Sequence, residues 1–288
     1  MTDLGTIEEY MNRRIFTDYI MPVWLPFIPV LLIIIGILFF TVVFIATSPN
    51  INAFDSYSYT STYPQSYSTH STYHPYHSYP SSYSSAEAID ELGVVAILLL
   101  FFIMLAGLAL NVYVIYKWVS RRNEHFKRQR LLFRAIIGYL RAKSPEGGTL
   151  NQLNRLESLL NEIETEEEEK NAVLWALIQF VPYVGGLLLL YVYHFLNKDF
   201  WKHERREDHF LDVVSSILGN ESHFLYDSAS VPNRNTVLYV VLSIVTLGFF
   251  GLYWVYTLTK DPNEHFKRHV RWETQLLQAL RSLEEGLR

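Results

Sequence analysis

Four long apolar runs, separated by polar stretches of very different character, set the pattern of this chain. The runs are about Met21–Ala46, Leu92–Val119, Ala172–Phe195 and Thr236–Thr259. None contains Asp, Glu or Arg, and only Lys117, at a terminus, is charged. A helix needs roughly 20 mostly apolar residues to cross a bilayer, so each run is long enough to span. Soluble folds rarely carry four such runs as core helices. The first run starts too late and is too long for a cleavable signal peptide.

The pattern predicts an all-α integral membrane protein with four transmembrane helices. The expected order is a cytoplasmic N-terminus (1–20), a first span (21–46), an extracytoplasmic loop (47–91) and a second span (92–119). Cytoplasmic helices (120–171) and a third span (172–195) follow. An extracytoplasmic loop with an amphipathic helix (196–235), a fourth span (236–259) and a cytoplasmic amphipathic helix (260–288) complete the chain.

Charge gives the runs a direction. Only 18% of the 288 residues are charged, against about 25% in a typical soluble domain. The deficit is spatial, because no Lys or Arg occurs from Ile15 to Tyr116. Basic residues near span ends mark the cytoplasmic side. Four spans with both termini inside put nineteen basic residues inside and five outside. The five are Lys198, Lys202, Arg205, Arg206 and Arg234, an awkward run for an outer segment. An alternative topology makes the third and fourth runs re-entrant, breaking at Pro182–Gly186 and Thr246–Gly248. The expected location is the cell membrane, with lipids and a protein partner or second copy as neighbours. A net charge of −5 and a pI near 6.1 argue against a nucleic-acid partner. The absence of cysteine excludes thiolate catalysis, Cys-ligated zinc and iron–sulfur clusters.

The chain also repeats itself. Asn123-Glu124-His125-Phe126-Lys127-Arg128 recurs as Asn263-Glu264-His265-Phe266-Lys267-Arg268. Both copies follow an aromatic run, Tyr113–Tyr116 and Tyr253–Tyr256, and the register persists to Leu140-Arg141 against Leu280-Arg281. The fold class is therefore a tandem duplication of a two-span unit plus amphipathic helices. Two-span units repeat in parallel, with a pseudo-twofold axis along the membrane normal. A weaker echo follows the third run: Lys198-Asp199 and His203 hold the places of Lys260-Asp261 and His265.

The stretch Thr246-Leu-Gly248-Phe-Phe-Gly251-Leu-Tyr253-Trp254 carries a resemblance. It is similar to the T-x-G-I-Y-G-L-Y-W signature of a prokaryotic membrane domain of unknown function, number 4234. Phe249-Phe250 stands where Ile-Tyr is usual. The resemblance covers about the last fifth of the chain and implies a membrane protein with no assigned activity.

Candidate chemistry is sparse. The segment Ile51–Ser85 is rich in Ser, Thr, Tyr, Pro and His and lacks aliphatic residues for a core. It reads as a disordered or O-glycosylated loop. His70, His74 and His77 within it are a weak metal set. Asn220-Glu-Ser222 is a glycosylation sequon, to be weighed against chance. His203-Glu204 begins like a zinc-protease motif, but Glu207 replaces the second histidine and the motif fails. His265 and His269 have the i, i+4 spacing of a metal chelate. The other copy offers Gln129 there, so the pair reads first as polar-face residues, and no cofactor is expected. Phe210, Val213, Val214, Ile217 and Leu218 fall at helical spacing, ended by Gly219, and suit a helix lying on the outer membrane surface or on the helix bundle. Leu153, Leu156, Leu160 and Ile163 follow an a/d spacing that fits docking to Leu276, Leu277, Leu280 and Leu283. Few polar groups lie within the runs, and a pump or ion-coupled carrier usually shows intramembrane acids or bases. The expected function is a non-catalytic scaffold, assembly factor or accessory subunit. A small pseudo-symmetric transporter or channel is the alternative, and a metal-dependent membrane enzyme comes third.

Overall fold

A computed structural model of the chain describes residues 3–47, 83–143, 149–219 and 231–286. Among the described residues all regular structure is helical. The α-helices are α1 (Leu4–Asn12), α2 (Arg14–Thr17), α3 (Ile28–Thr47), α4 (Tyr83–Lys143), α5 (Leu150–Glu166), α6 (Ala172–Leu177), α7 (Gly185–Leu218), α8 (Thr236–Val245) and α9 (Phe249–Gly286). His70, His74, His77 and the sequon at Asn220 lie outside the described residues. The chain forms two compact units: Pro29–Leu108, and Met1–Ile28 with Ala109–Arg288.

The unit Pro29–Leu108 holds α3 and the first part of α4. Among the described residues, Leu25–Ile45 and Gly93–Lys143 are the two helical segments long and apolar enough to cross a membrane. Side chains such as Ile34, Leu38, Leu98 and Phe101 stay exposed, so protein does not supply their apolar surroundings. Glycines let the two helices meet closely: a Cβ on Gly36 would lie 3.1 Å from Leu100, and one on Gly107 3.5 Å from the Pro29 carbonyl.

The third and fourth runs do not form single helices. The third breaks between α6 and α7, where Pro182 and Tyr183 (φ 64°) reverse the chain. Gly185 is required there, because a Cβ would sit 2.3 Å from the Gln179 carbonyl oxygen. The fourth breaks between α8 and α9 at Leu247 (φ 51°) and Gly248 (φ 94°). With ten residues, α8 is about 15 Å long, half of the ~30 Å hydrocarbon thickness.

In the larger unit α4, α7 and α9 pass through three layers in the same order. The first is apolar and aromatic, with Ile115, Trp118, Val192, Phe195, Trp254 and Leu258. The second is polar and contains the repeated motif. The third is a leucine-rich core shared by Leu132–Leu140, Phe210–Val214 and Trp272–Leu280, closed by Ile7 and Met11 of α1 and Leu153–Ile163 of α5. Phe133 stacks on Phe210 at 3.9 Å between ring centres. The a/d residues of α5 thus share a core with Leu276 and Leu280, while α5 itself packs chiefly along α7.

This core bears on the expected topology. The layout that puts 196–235 outside the membrane and 120–171 and 260–288 inside separates α7 from α4, α5 and α9, whereas Phe210–Val214 share one core with Leu132–Leu140, Leu153–Ile163 and Trp272–Leu280. Of the two settings expected for the apolar face of Phe210, Val213 and Val214, the structure shows packing within the helix bundle. Gly219 (φ 76°) does end that helix, as expected.

Candidate metal centre

Both motif copies sit on helices, α4 and α9, and bury the same positions. Asn123, His125, Phe126 and Arg128 are buried, as are Asn263, His265, Phe266 and Arg268. Glu124, Lys127, Glu264 and Lys267 are exposed. Helical geometry explains the split, because only one face of each helix meets the core.

The two asparagines are clamps. Asn123 donates from Nδ2 to the Lys170 carbonyl (2.5 Å) and accepts from the Lys170 N–H (3.2 Å). Asn263 treats Met21 the same way, donating to its carbonyl (2.7 Å) and accepting from its N–H (3.1 Å). Each copy therefore fixes the residue that leads into an apolar run. Arg121, fully buried, donates to Asn263 Oδ1 (2.9 Å) and to the Leu258 carbonyl (2.9 Å). Pro262 follows Leu258 by four and has no N–H for that carbonyl, so the guanidinium takes its place.

The histidines meet in the middle of the unit. His125, His203, His265 and His269 offer ring nitrogens that all lie within 4.8 Å of one another, and all four side chains are buried. His125 Nε2 is 3.1 Å from His265 Nε2, which is 3.1 Å from His269 Nε2. Glu207 Oε2 joins them, 3.1 Å from His269 Nε2, 3.7 Å from His265 Nε2 and 3.8 Å from His203 Nε2.

Every Nδ1 points the other way, at a carboxylate. His125 Nδ1 contacts Asp18 Oδ1 (2.9 Å), and His203 Nδ1 contacts Glu167 Oε1 (2.9 Å). His265 Nδ1 faces Glu204 Oε1 and His269 Nδ1 faces Glu273 Oε1, each at 3.3 Å. An Nδ1–H donated to a carboxylate leaves Nε2 with its lone pair. Four lone pairs and one carboxylate oxygen then converge on a single point. Such a set of lone pairs, with a carboxylate oxygen beside it, could hold a cation.

The carboxylates around the histidines are themselves paired with guanidiniums. Arg128 bridges Asp18 (2.9 Å) and Glu273 (2.7 Å), and Arg268 reaches Glu204 (2.9 Å). Burial holds His125 well below the usual histidine range. Burial and the neighbouring His269 bring His265 down to about 4. Burial opposes a charge on His269 as well, but the Glu207 and Glu273 carboxylates overcome it and push that group up to about 9. Burial works against an ionised Glu207, and the histidines outweigh it and keep that carboxyl far below its ordinary value.

A metal ion fits this set. Ligands 2.0–2.1 Å from zinc lie about 2.9 Å apart at a right angle and about 3.4 Å apart at a tetrahedral angle. Three of the Nε2 and Oε2 separations, at 3.1 Å, fall within that range, and two, at 3.7 and 3.8 Å, lie beyond it. Carboxylates on the second ring nitrogen orient the imidazoles and raise their basicity, as is usual around metal-bound histidine.

Of these five side chains, the sequence offers His265 and His269 as a metal pair and reads them first as polar-face residues. Gln129, at the place of His269 in the first copy, is buried, and its side-chain amide has no hydrogen-bond partner among the described residues. The other ligands come from α4 (His125) and from α7 (His203 and Glu207). The echo of His265 at His203 was the available signal, together with the i, i+4 pair His203–Glu207. Asp18 and Glu167, each three residues before a clamped residue, carried no signal of their own.

The resemblance signature lies at the α8–α9 turn. Thr246 Oγ1 accepts from the Phe250 N–H (2.9 Å), and Gly248 supplies the left-handed turn. Gly251 would bring a Cβ to 3.8 Å from Ser243 Oγ, Tyr253 is exposed, and Trp254 is buried against Tyr193 and Tyr239. No curated protein and no solved structure matches the chain. Residues 234–282, covering α8, this turn and most of α9, match the profile of the family described as a domain of unknown function, DUF4234, so the chain carries a DUF4234-like domain.

Proposed function

We propose that this chain is a membrane-bound metalloprotein that acts as a non-catalytic scaffold, assembly factor or accessory subunit. One divalent first-row transition-metal ion is held by His125, His203, His265, His269 and Glu207. The observation that carries this reading is the convergence of four Nε2 atoms whose Nδ1 partners are all carboxylates. Imidazole donors suit zinc, iron, nickel and copper. A structural role follows from closure: catalytic zinc sites keep a position open, whereas these five side chains are at most 1% exposed. The clefts of about 390 and 380 Å³ lie along α4 and α5 and are lined by other residues. The ion would tie α4, α7 and α9 together, and with them both copies of the repeat.

The helices α3 and α4 would hold the protein in the cell membrane, with both chain ends on the cytoplasmic side. Its neighbours would be lipids and a protein partner or second copy. The transporter reading has less support, because the amides of Asn111 and Gln179 bond to each other (3.0 Å) rather than line a path.

Metal analysis of the detergent-purified protein, prepared without chelators, tests the proposal. The expected result is about one zinc or iron per chain, lost in His203→Ala and His265→Ala. No stoichiometric metal after purification, and none after dialysis against Zn²⁺ or Fe²⁺, would overturn it.

A further inference from the structure

We infer that Ala172–Phe195 and Thr236–Thr259 are two re-entrant hairpins, which enter the hydrocarbon of the inner leaflet and return to the side they came from. This inference is independent of the metal.

Each run folds back on itself. Trp175 of α6 packs on Tyr191 and Phe195 of α7, at 5.4 and 5.3 Å between ring centres. Tyr239 of α8 packs on Phe250 and Trp254 of α9, at 5.0 and 5.5 Å. The outer ends of α7 and α9 then enter the same folded core as α4 and α5. Both hairpins therefore begin and end on the core side.

Their tips are apolar and uncovered. Leu247 is 90% and Phe249 77% exposed, with Ile244 and Val245 beside them, and Tyr183 and Leu187 stand out equally at the other tip. The occupant that fits them is lipid hydrocarbon, for two reasons. Bare backbone is not tolerated in hydrocarbon, and the α8–α9 turn leaves none of its N–H groups bare. Those of Thr246, Leu247, Gly248, Phe249 and Gly251 go to carbonyls of Leu242, Ile244, Ser243, Thr246 and Gly248, and that of Phe250 goes to Thr246 Oγ1. At the α6–α7 turn Pro182 has no N–H, those of Val181, Val184 and Gly185 are bonded within the turn, and that of Tyr183 makes no backbone bond among the described residues.

The second reason is the charge at the bases. Lys170 and Lys198 flank one hairpin, and Arg234 and Lys260 flank the other. Lys170 lies over the Phe195 ring (4.8 Å) and Lys260 over the Tyr256 ring (5.9 Å). Such cationic and aromatic belts mark the headgroup level. With two full spans and two half-spans, all 24 Lys and Arg residues fall on one side. Four full spans leave five of them on the wrong side.

The chain has no cysteine, so single cysteines can be read without background. Lys202→Cys and Arg205→Cys, at exposed positions of α7, would be treated in intact cells with a membrane-impermeant maleimide. Ser66→Cys and Lys267→Cys serve as outer and inner references. The expected result is labelling of Lys202→Cys and Arg205→Cys only after permeabilisation, as for Lys267→Cys. Leu247→Cys should react at least about tenfold more slowly than Lys267→Cys in permeabilised membranes, because a thiol in hydrocarbon does not ionise. Labelling of the α7 cysteines in intact cells, at the level of Ser66→Cys, would overturn the inference. So would a Leu247→Cys that reacts as fast as Lys267→Cys.

Discussion

His125 and His265 stand 140 residues apart at the same place of a repeated motif, and their Nε2 atoms meet at 3.1 Å. Duplication alone would make these residues similar. Bringing them into contact makes them one site. Removing its ion leaves four buried imidazoles and Glu207 with no central charge. An ion present at a hundred times its dissociation constant stabilises by about 2.7 kcal/mol. Stripping the purified protein with a strong chelator should lower its Tm by roughly 5–10 °C, and adding the metal back should restore it. An unchanged melting curve would leave the ion without a structural role.

Asn263 and Asn123 should matter as a matched pair. Asn263→Ala leaves the Met21 N–H and carbonyl and one Arg121 donor unsatisfied in a buried place, and Asn123→Ala strands the Lys170 N–H and carbonyl in a half-buried one. Each should cost about 2–4 kcal/mol, since a stranded buried polar group costs about 1–3 kcal/mol. Glu264→Ala, in the same motif but exposed, should stay within about 0.5 kcal/mol. Thermal or denaturant unfolding in detergent reads the difference.

Two neighbouring glycines should behave oppositely. A Cβ at Gly185 would meet the Gln179 carbonyl at 2.3 Å, whereas one at Gly186 meets nothing within 4 Å. Gly185→Ala should therefore disrupt the α6–α7 turn and lower the yield of folded protein. Gly186→Ala, in the first turn of α7, should be neutral or slightly stabilising, as Ala is the better helix former. Equal yields by size-exclusion chromatography would contradict the turn geometry.

Leu247→Asp separates a tip in lipid from a tip in water. At a watery surface the change should fall within about 0.5 kcal/mol. Near the middle of a bilayer an aspartate costs about 2.5–3.5 kcal/mol on insertion scales. The variant should show reduced membrane-inserted protein and a lower Tm in nanodiscs, while Lys267→Asp should not.

Much of this was legible along the chain. The apolar runs, their flanking charges, the 140-residue repeat and the breaks at Pro182–Gly186 and Thr246–Gly248 are all local patterns. The breaks were weighed only as an alternative, because run length argued for spans and nothing local showed which helices share a core. The basic residues Lys198–Arg206 were the local pattern that fitted the four-span layout least. The metal ligands were harder to see. His265 and His269 looked incomplete against Gln129, and His203 with Glu207 was measured against a one-helix motif that it does not satisfy.

The sequence by itself determined the class of helices, which residues avoid water, and that one motif was used twice. Hydrophobic periodicity and charge placement are properties of neighbours along the chain, and they need no fold to be read. Only the tertiary structure decided that α4, α7 and α9 lie side by side, that Asp18 and Glu167 reach back to histidines far away in sequence, and that four imidazoles and Glu207 face one another. A binding site is a distance between side chains on different helices, and that distance is fixed by packing.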